Sequence, residues 1–249
     1  MLHRVVATII IAFWLVMTAL LVRDEVAPSA SRVRDVPLLY VMKMIYRHEQ
    51  PSDLTIYNGT SPIGSFRMQP RIETETRRRM LDLSGELRLP IGADQKIRLS
   101  WMGVLGMNSA YQPVYSKWSV AMLGAEHMHF AVESPMNGQP SHYTLRSGEH
   151  VLAQGDIPNG ENGLATMAQQ FGMGEALNSV ISQARQQTPP TIRARQSSLR
   201  VQGEVAETYL VAFEQNGQEI CAVHLSQLGQ ILQATTALGY TLRLDGANF

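Results

Sequence analysis

LTIYNGTSPIGSFRM (residues 54–68) decides the fold. Two runs rich in β-branched and aromatic residues flank Asn58-Gly59. An Asn-Gly pair accepts the positive φ angles of a tight hairpin turn, whose twist matches that of two paired strands. The stretch therefore predicts a β-hairpin, and Asn58-Gly59-Thr60, although a glycosylation sequon, is read as its turn. The same chemistry recurs along the chain. Residues 141–155 predict a hairpin turning at Ser147-Gly148, and residues 207–244 a meander turning at Asn216-Gly217, Gly229 and Gly239. Residues 113–124 alternate with period two, as a strand with two unlike faces does. Residues 77–90 predict a strand pair turning at Ser84-Gly85. Glycines inside the apolar run 96–107 predict bulges or bends. The fold class expected is mainly β, a curved antiparallel sheet or half-barrel.

Residues 164–187 form the one clearly helical pattern. Leu164, Met167, Ala168 and Phe171 share a face, and Leu177, Val180, Ile181 and Ala184 repeat the spacing. Gly172 and Gly174 break or kink this helix, and Pro189-Pro190 end it. Phe171, Leu177, Val180 and Ile181 are the stripe nominated either for packing against the sheet or for an apolar ligand. A short amphipathic helix is the reading for residues 38–50, where Leu38, Val41, Met42 and Ile45 fit one face, with a strand as the alternative.

Residues 5–22, VVATIIIAFWLVMTALLV, carry no charge. At ~1.5 Å per residue they reach ~27 Å, close to the ~30 Å of a bilayer's hydrocarbon core. A cleaved signal peptide would have a shorter apolar core ending in small residues, whereas here the charged triplet Arg23-Asp24-Glu25 follows. The expectation is an uncleaved, single-pass signal-anchor. The organisation is then a transmembrane helix over 1–22, a linker with a short helix over 23–52, and a β-rich domain over 53–249. The location expected is the bacterial inner membrane, with the C-terminal domain periplasmic.

The chain balances 21 basic against 21 acidic residues, so no global field favours nucleic acid. Cys221 is the only cysteine, which excludes an internal disulfide, and its setting EICAVHL is a strand interior. His127 and His129 would share one strand face, and a metal needs further donors. His48, His142, His150 and His224 are candidates, but none forms a second close pair, so no metal is expected. The loop 155–163 resembles a calcium loop but places Pro158 and Gly160 where oxygen ligands belong. No G-x-S-x-G, H-E-x-x-H or phosphate-loop motif is present, and FGMG (171–174) lacks the lysine. Glu73 and Glu75 lie close to Arg77–Arg79 and read as surface ion pairs. No catalytic residue and no cofactor is nominated.

LTIYNGTSPIGSF (54–66) and AVHLSQLGQILQATTALGYTLRL (222–244) resemble strand pairs of LolA-like and DUF3108-type bacterial envelope domains. That resemblance implies a sheet wrapped on a helix, with an apolar cavity for acyl chains. The anchor departs from the soluble shuttles of the LolA-like class. The expected function is a non-enzymatic, membrane-anchored accessory or scaffold subunit. Its partners would be the inner membrane, an envelope protein complex, and a lipid or glycan. A lipid carrier, or a hydrolase or metal-dependent enzyme with an unrecognised site, is the alternative.

Overall fold

A computed structural model describes residues 34–91, 95–123, 127–135, 139–157, 191–201 and 203–246. Among them one helix, α1 (Leu38–His48), precedes thirteen strands. The strands are β1 (Ser52–Asn58), β2 (Ser61–Ile72), β3 (Arg79–Ile91), β4 (Gln95–Met107), β5 (Pro113–Leu123), β6 (Met128–Pro135) and β7 (Ser141–Ser147). They continue as β8 (His150–Ile157), β9 (Thr191–Val201), β10 (Glu204–Gln215), β11 (Gln218–Leu225), β12 (Ile231–Thr236) and β13 (Tyr240–Leu244). All lie in one sheet, in the order β8-β7-β6-β5-β4-β3-β2-β1-β13-β12-β11-β10-β9. Two antiparallel meanders thus meet where β1 pairs with β13, Leu54 opposite Leu244.

Local turn chemistry accounts for most connections. Asn216 and Gly217 both take positive φ (52° and 76°), the pair of angles a tight hairpin turn needs. Gly229 is required twice over. Its φ is 79°, and a Cβ there would stand 2.6 Å from the Ile45 backbone, so the β11–β12 turn closes directly onto α1.

The turn expected at Ser84-Gly85 does not form: β3 runs through it without interruption. Gly85 pairs with Trp101 on β4, and a Cβ on Gly85 would lie 2.2 Å from the Trp101 ring. The glycine makes room for a cross-strand aromatic and does not reverse the chain. In β4 the register shifts once, between Gly106 and Met107, and not at Gly103.

α1 sits on one face of the sheet. Val41, Met44, Ile45 and Tyr46 are buried, joined by partly buried Leu38 and Met42, so the buried stripe is wider than the sequence spacing implied. They pack with Leu54, Met68, Met107, Ala194, Val211, Leu225 and Ile231. The helix meets both β2 and β9, which stand six places apart in the sheet. A flat sheet at ~4.8 Å per strand would separate them by ~29 Å, and a helix is only ~10–12 Å across. The sheet must therefore curl around α1.

The chain before α1 is tied down as well. The Val36 N–H donates to the Ala194 carbonyl and the Gln196 N–H to the Arg34 carbonyl, both at 2.9 Å. Residues 34–36 thereby cover the outer edge of β9, and α1, placed by sequence in a linker, belongs to the core of the β domain.

No helix among the described residues is long and apolar enough to cross a membrane. The apolar run 5–22 lies outside the described residues, as does the helix expected at 164–187 with Phe171, Leu177, Val180 and Ile181. The helix that the sheet wraps, among the described residues, is the early one.

Candidate functional site

Residues paired across antiparallel strands share a face, so the register extends the helix-facing side of the sheet beyond α1. From Met68 in the core, one row runs Leu83, Gly103, Trp118, Val132, Tyr143. The next runs Phe66, Gly85, Trp101, Val120, Phe130, Leu145. The two rows form an apolar strip across β3–β7.

Its construction is specific. The Trp101 indole lies over Gly85 and the Trp118 indole over Gly103, where a Cβ would approach the ring to 2.3 Å. Tyr143 lies over Gly155 in the same way, with a Cβ there 3.3 Å from its ring. Phe130 and Tyr143 adjoin at 6.4 Å between centroids. The rings thus occupy the space that a side chain at each glycine would fill.

Burial is uneven along the strip: its middle is the most open part, whereas Tyr143 at the far end is 3% exposed. Val41, Tyr46 and Leu54 in the helix-covered core are 1% exposed, whereas Trp118 is 38% exposed. Trp101, Val120, Phe130, Val132 and Leu145 are half-buried. A side chain this apolar gains ~25 cal/mol per Å² on leaving water, so the strip retains a drive to be covered.

Polar groups border the strip on one side. Leu105 pairs with Ser116, and Ser116 with Ser134. The Ser141 hydroxyl donates to Ser134 Oγ at 2.7 Å. One step further, Arg79 faces the same side opposite Met107. Its guanidinium stacks over the Tyr111 ring at 4.2 Å, and its Nη1 donates to the Asn108 carbonyl at 3.3 Å.

The opposite face carries ion pairs. Arg71 meets Asp82 at 2.6 Å, Arg98 meets Glu86 at 2.6 Å, and Lys117 meets Glu133. The hydrogen bond from Arg98, reinforced by Arg88, holds the Glu86 carboxyl below its usual range. The ion pairs expected of Glu73 and Glu75 with Arg77–Arg79 are not the contacts observed. Residues 73–78 make the β2–β3 turn, where Thr76 donates to Glu73 and the Glu73 N–H donates to the Arg78 carbonyl.

The sequence singled out His127 and His129. His127 is exposed just before β6, and His129 Nε2 is 2.7 Å from Ser119 Oγ. His142 Nδ1 is 3.0 Å from Asp156, and His224 Nδ1 is 3.2 Å from the buried Thr208 hydroxyl. The histidines are dispersed among separate partners. No group of three or more potential metal ligands occurs among the described residues. Ser119–His129 is a hydroxyl–imidazole pair, yet it sits in mid-sheet. There the backbone N–H groups are engaged in the ladder and cannot form an oxyanion hole.

The strip residues were not nominated from sequence. The signal that could have found them is the glycine in mid-strand, at 85 and 103, facing a tryptophan on the next strand.

No family model matches the chain, and no curated protein matches it. Among solved structures, the chain is similar to the crystal structure of a beta-barrel-like protein of the domain of unknown function DUF1849 from Brucella abortus. The identity is 9%, the match covers 80% of this chain and 95% of that one, and the TM-score is 0.37.

Proposed function

We propose that the protein is a non-catalytic binding subunit of the bacterial envelope, tethered to the inner membrane by residues 5–22. It holds an acyl chain of a lipid on the helix-facing side of β3–β7. The half-exposed strip of Trp101, Trp118, Val120, Phe130, Val132 and Leu145 carries this reading. Its dimensions support it. Four strand spacings from β3 to β7 span ~19 Å, and one leaflet of a bilayer's hydrocarbon core, the reach of an acyl chain, is ~15 Å. Its polarity supports it too: two apolar rows have no charged side chain between them. The anchor would hold such a site beside its source of lipid.

The test is contact quenching of tryptophan. Full-length protein carrying Trp14→Phe, reconstituted in nanodiscs, retains only Trp101 and Trp118 as indoles. A fatty acid brominated in mid-chain should quench them saturably. Val132→Asp places a carboxylate between Trp118 and Tyr143 and should abolish the quenching while far-UV circular dichroism stays unchanged. Absent quenching, or quenching that rises linearly without saturation, would overturn the reading. Membrane pelleting of the intact chain tests the anchor, and a soluble mature form starting beyond residue 25 would refute it.

A further inference from the structure

The helix-facing side of the sheet is graded along its strands, and the grading ends in a cation. Passing along β3 from Leu83 to Leu81 to Arg79, the face turns from apolar to charged, with Arg79 opposite the buried Met107 of β4. Ser116, Ser134 and Ser141 carry the same border across β5–β7.

Arg79 is held in place and left with unused capacity. Tyr111 keeps a left-handed backbone (φ 61°), unfavourable for an aromatic residue, and its ring lies beneath the guanidinium. Nη1 donates to the Asn108 carbonyl, which fixes the fork's orientation. The Nε atom is buried and has no hydrogen-bond partner. Among the described residues no carboxylate forms an ion pair with Arg79. Asp82, three residues on, faces the other side and is engaged by Arg71. Tyr46 packs beside Met107, its hydroxyl pointing to the Met107 sulfur at 3.8 Å. Burial pushes Tyr46 up to about 12, so it remains a phenol and does not neutralise the guanidinium.

We propose that the ligand is an acyl amphiphile with an anionic head, and that Arg79 receives that head while the chain lies along the tryptophan strip. The inference rests on the acyl-chain reading above and adds the class of head group. A planar guanidinium with a spare donor matches a carboxylate or phosphate oxygen. The serine hydroxyls at the same border suit the polar atoms next to it.

The experiment compares a mid-chain brominated fatty acid with its methyl ester, at mildly alkaline pH where the carboxyl is ionised. The protein is the full-length Trp14→Phe chain in nanodiscs. The acid should bind about tenfold or more tightly than the ester, the increment of one charge-assisted hydrogen bond. Arg79→Gln should bring that ratio close to one by weakening the acid, with the ester unchanged. Arg79→Lys should keep part of the preference. Equal binding of acid and ester by the parent overturns the inference while leaving the acyl-chain reading standing. A preference that survives Arg79→Gln overturns it as well. Binding of neither compound refutes both. Should Arg79→Gln fail to fold, the parent decides alone, because the acid's advantage must then shrink as salt is raised, and an advantage indifferent to salt refutes the role of charge.

Discussion

Gly103→Ala is the substitution that tests how the strip is built. The new methyl would stand 2.3, 2.4 and 2.9 Å from three carbons of the Trp118 ring, against ~3.5–4.0 Å for ordinary carbon contacts. The indole must move by more than ~1 Å, off its resting place on the β4 backbone. Overpacking of this kind costs ~1–3 kcal/mol. Replacing glycine within a strand returns ~0.5–1 kcal/mol by restricting the unfolded chain, so the net loss is smaller than the clash. The decisive comparison is a double-mutant cycle with Trp118→Ala. With the ring gone the methyl meets open space, and Gly103→Ala should then be neutral or stabilising. The coupling between the two sites should be ~1–3 kcal/mol, measured by urea and thermal unfolding of the full chain followed by far-UV circular dichroism. For a chain of this size, ~1 kcal/mol moves the melting temperature by ~2–4 °C. Additivity within ~0.5 kcal/mol would refute the packing of the ring on the glycine.

Three further outcomes follow from other parts of the molecule. Leu54, 1% exposed beneath α1, should cost ~2–5 kcal/mol when changed to Ala, against less than about 0.5 kcal/mol for Leu238→Ala, which is 83% exposed; equal losses would refute the placement of the core. His224 is held below its ordinary 6.5 by burial and then by the positive charge of Arg195. Above 6.5 it is neutral in folded and unfolded chains alike. As pH falls through 6.5 the unfolded chain takes the proton first, so stability drops until the depressed folded value is reached. In His224→Gln that part of the acid sensitivity should vanish, and an unchanged pH–stability curve would refute it. Burial, then the nearby Glu219 charge, raises the Cys221 thiol above its ordinary value. Alkylation at neutral pH should therefore be slow in the native chain and fast in urea, and equal rates would be contrary.

The tight turns were legible because their chemistry is local. Asn216 and Gly217 need only their own φ angles to reverse the chain; at the first hairpin Gly59 (φ 61°) does so with Thr60, one place beyond the expected pair, while Asn58 ends β1 opposite Ser61. The same local chemistry at Ser84-Gly85 predicts a turn that does not form, because the reason for that glycine lies sixteen positions away, in Trp101. A glycine that reverses the chain and one that makes room for a ring look alike until register is known. His129 shows the same limit. Its partner Ser119 is opposed through a strand pairing that residue spacing does not reveal. The helix at Leu38–His48 was visible as a periodicity, but its place at the centre of the core was not. That place depends on strands from both ends of the chain curling over it.

The division between covered and uncovered inner face follows from length. An eleven-residue α1 is ~16 Å long at ~1.5 Å per residue. Thirteen strands set side by side at ~4.8 Å would extend over ~58 Å. One such helix can line only part of that face. Where it lies, the sheet offers Leu54, Met68, Leu225 and Ile231, branched or flexible side chains that interlock with helix residues. Beyond it the sheet offers indole and phenyl rings, with Trp101 and Trp118 filling the space over Gly85 and Gly103. With the space over the glycines filled by rings, this part of the face has fewer holes to receive the knobs of a second helix, but it presents apolar contact to a thin, flexible chain. The change in side-chain type along one face thus favours an acyl chain over a packing helix as the occupant of the strip. On the proposed reading, the head of that chain would lie at the border where Leu81 gives way to Arg79.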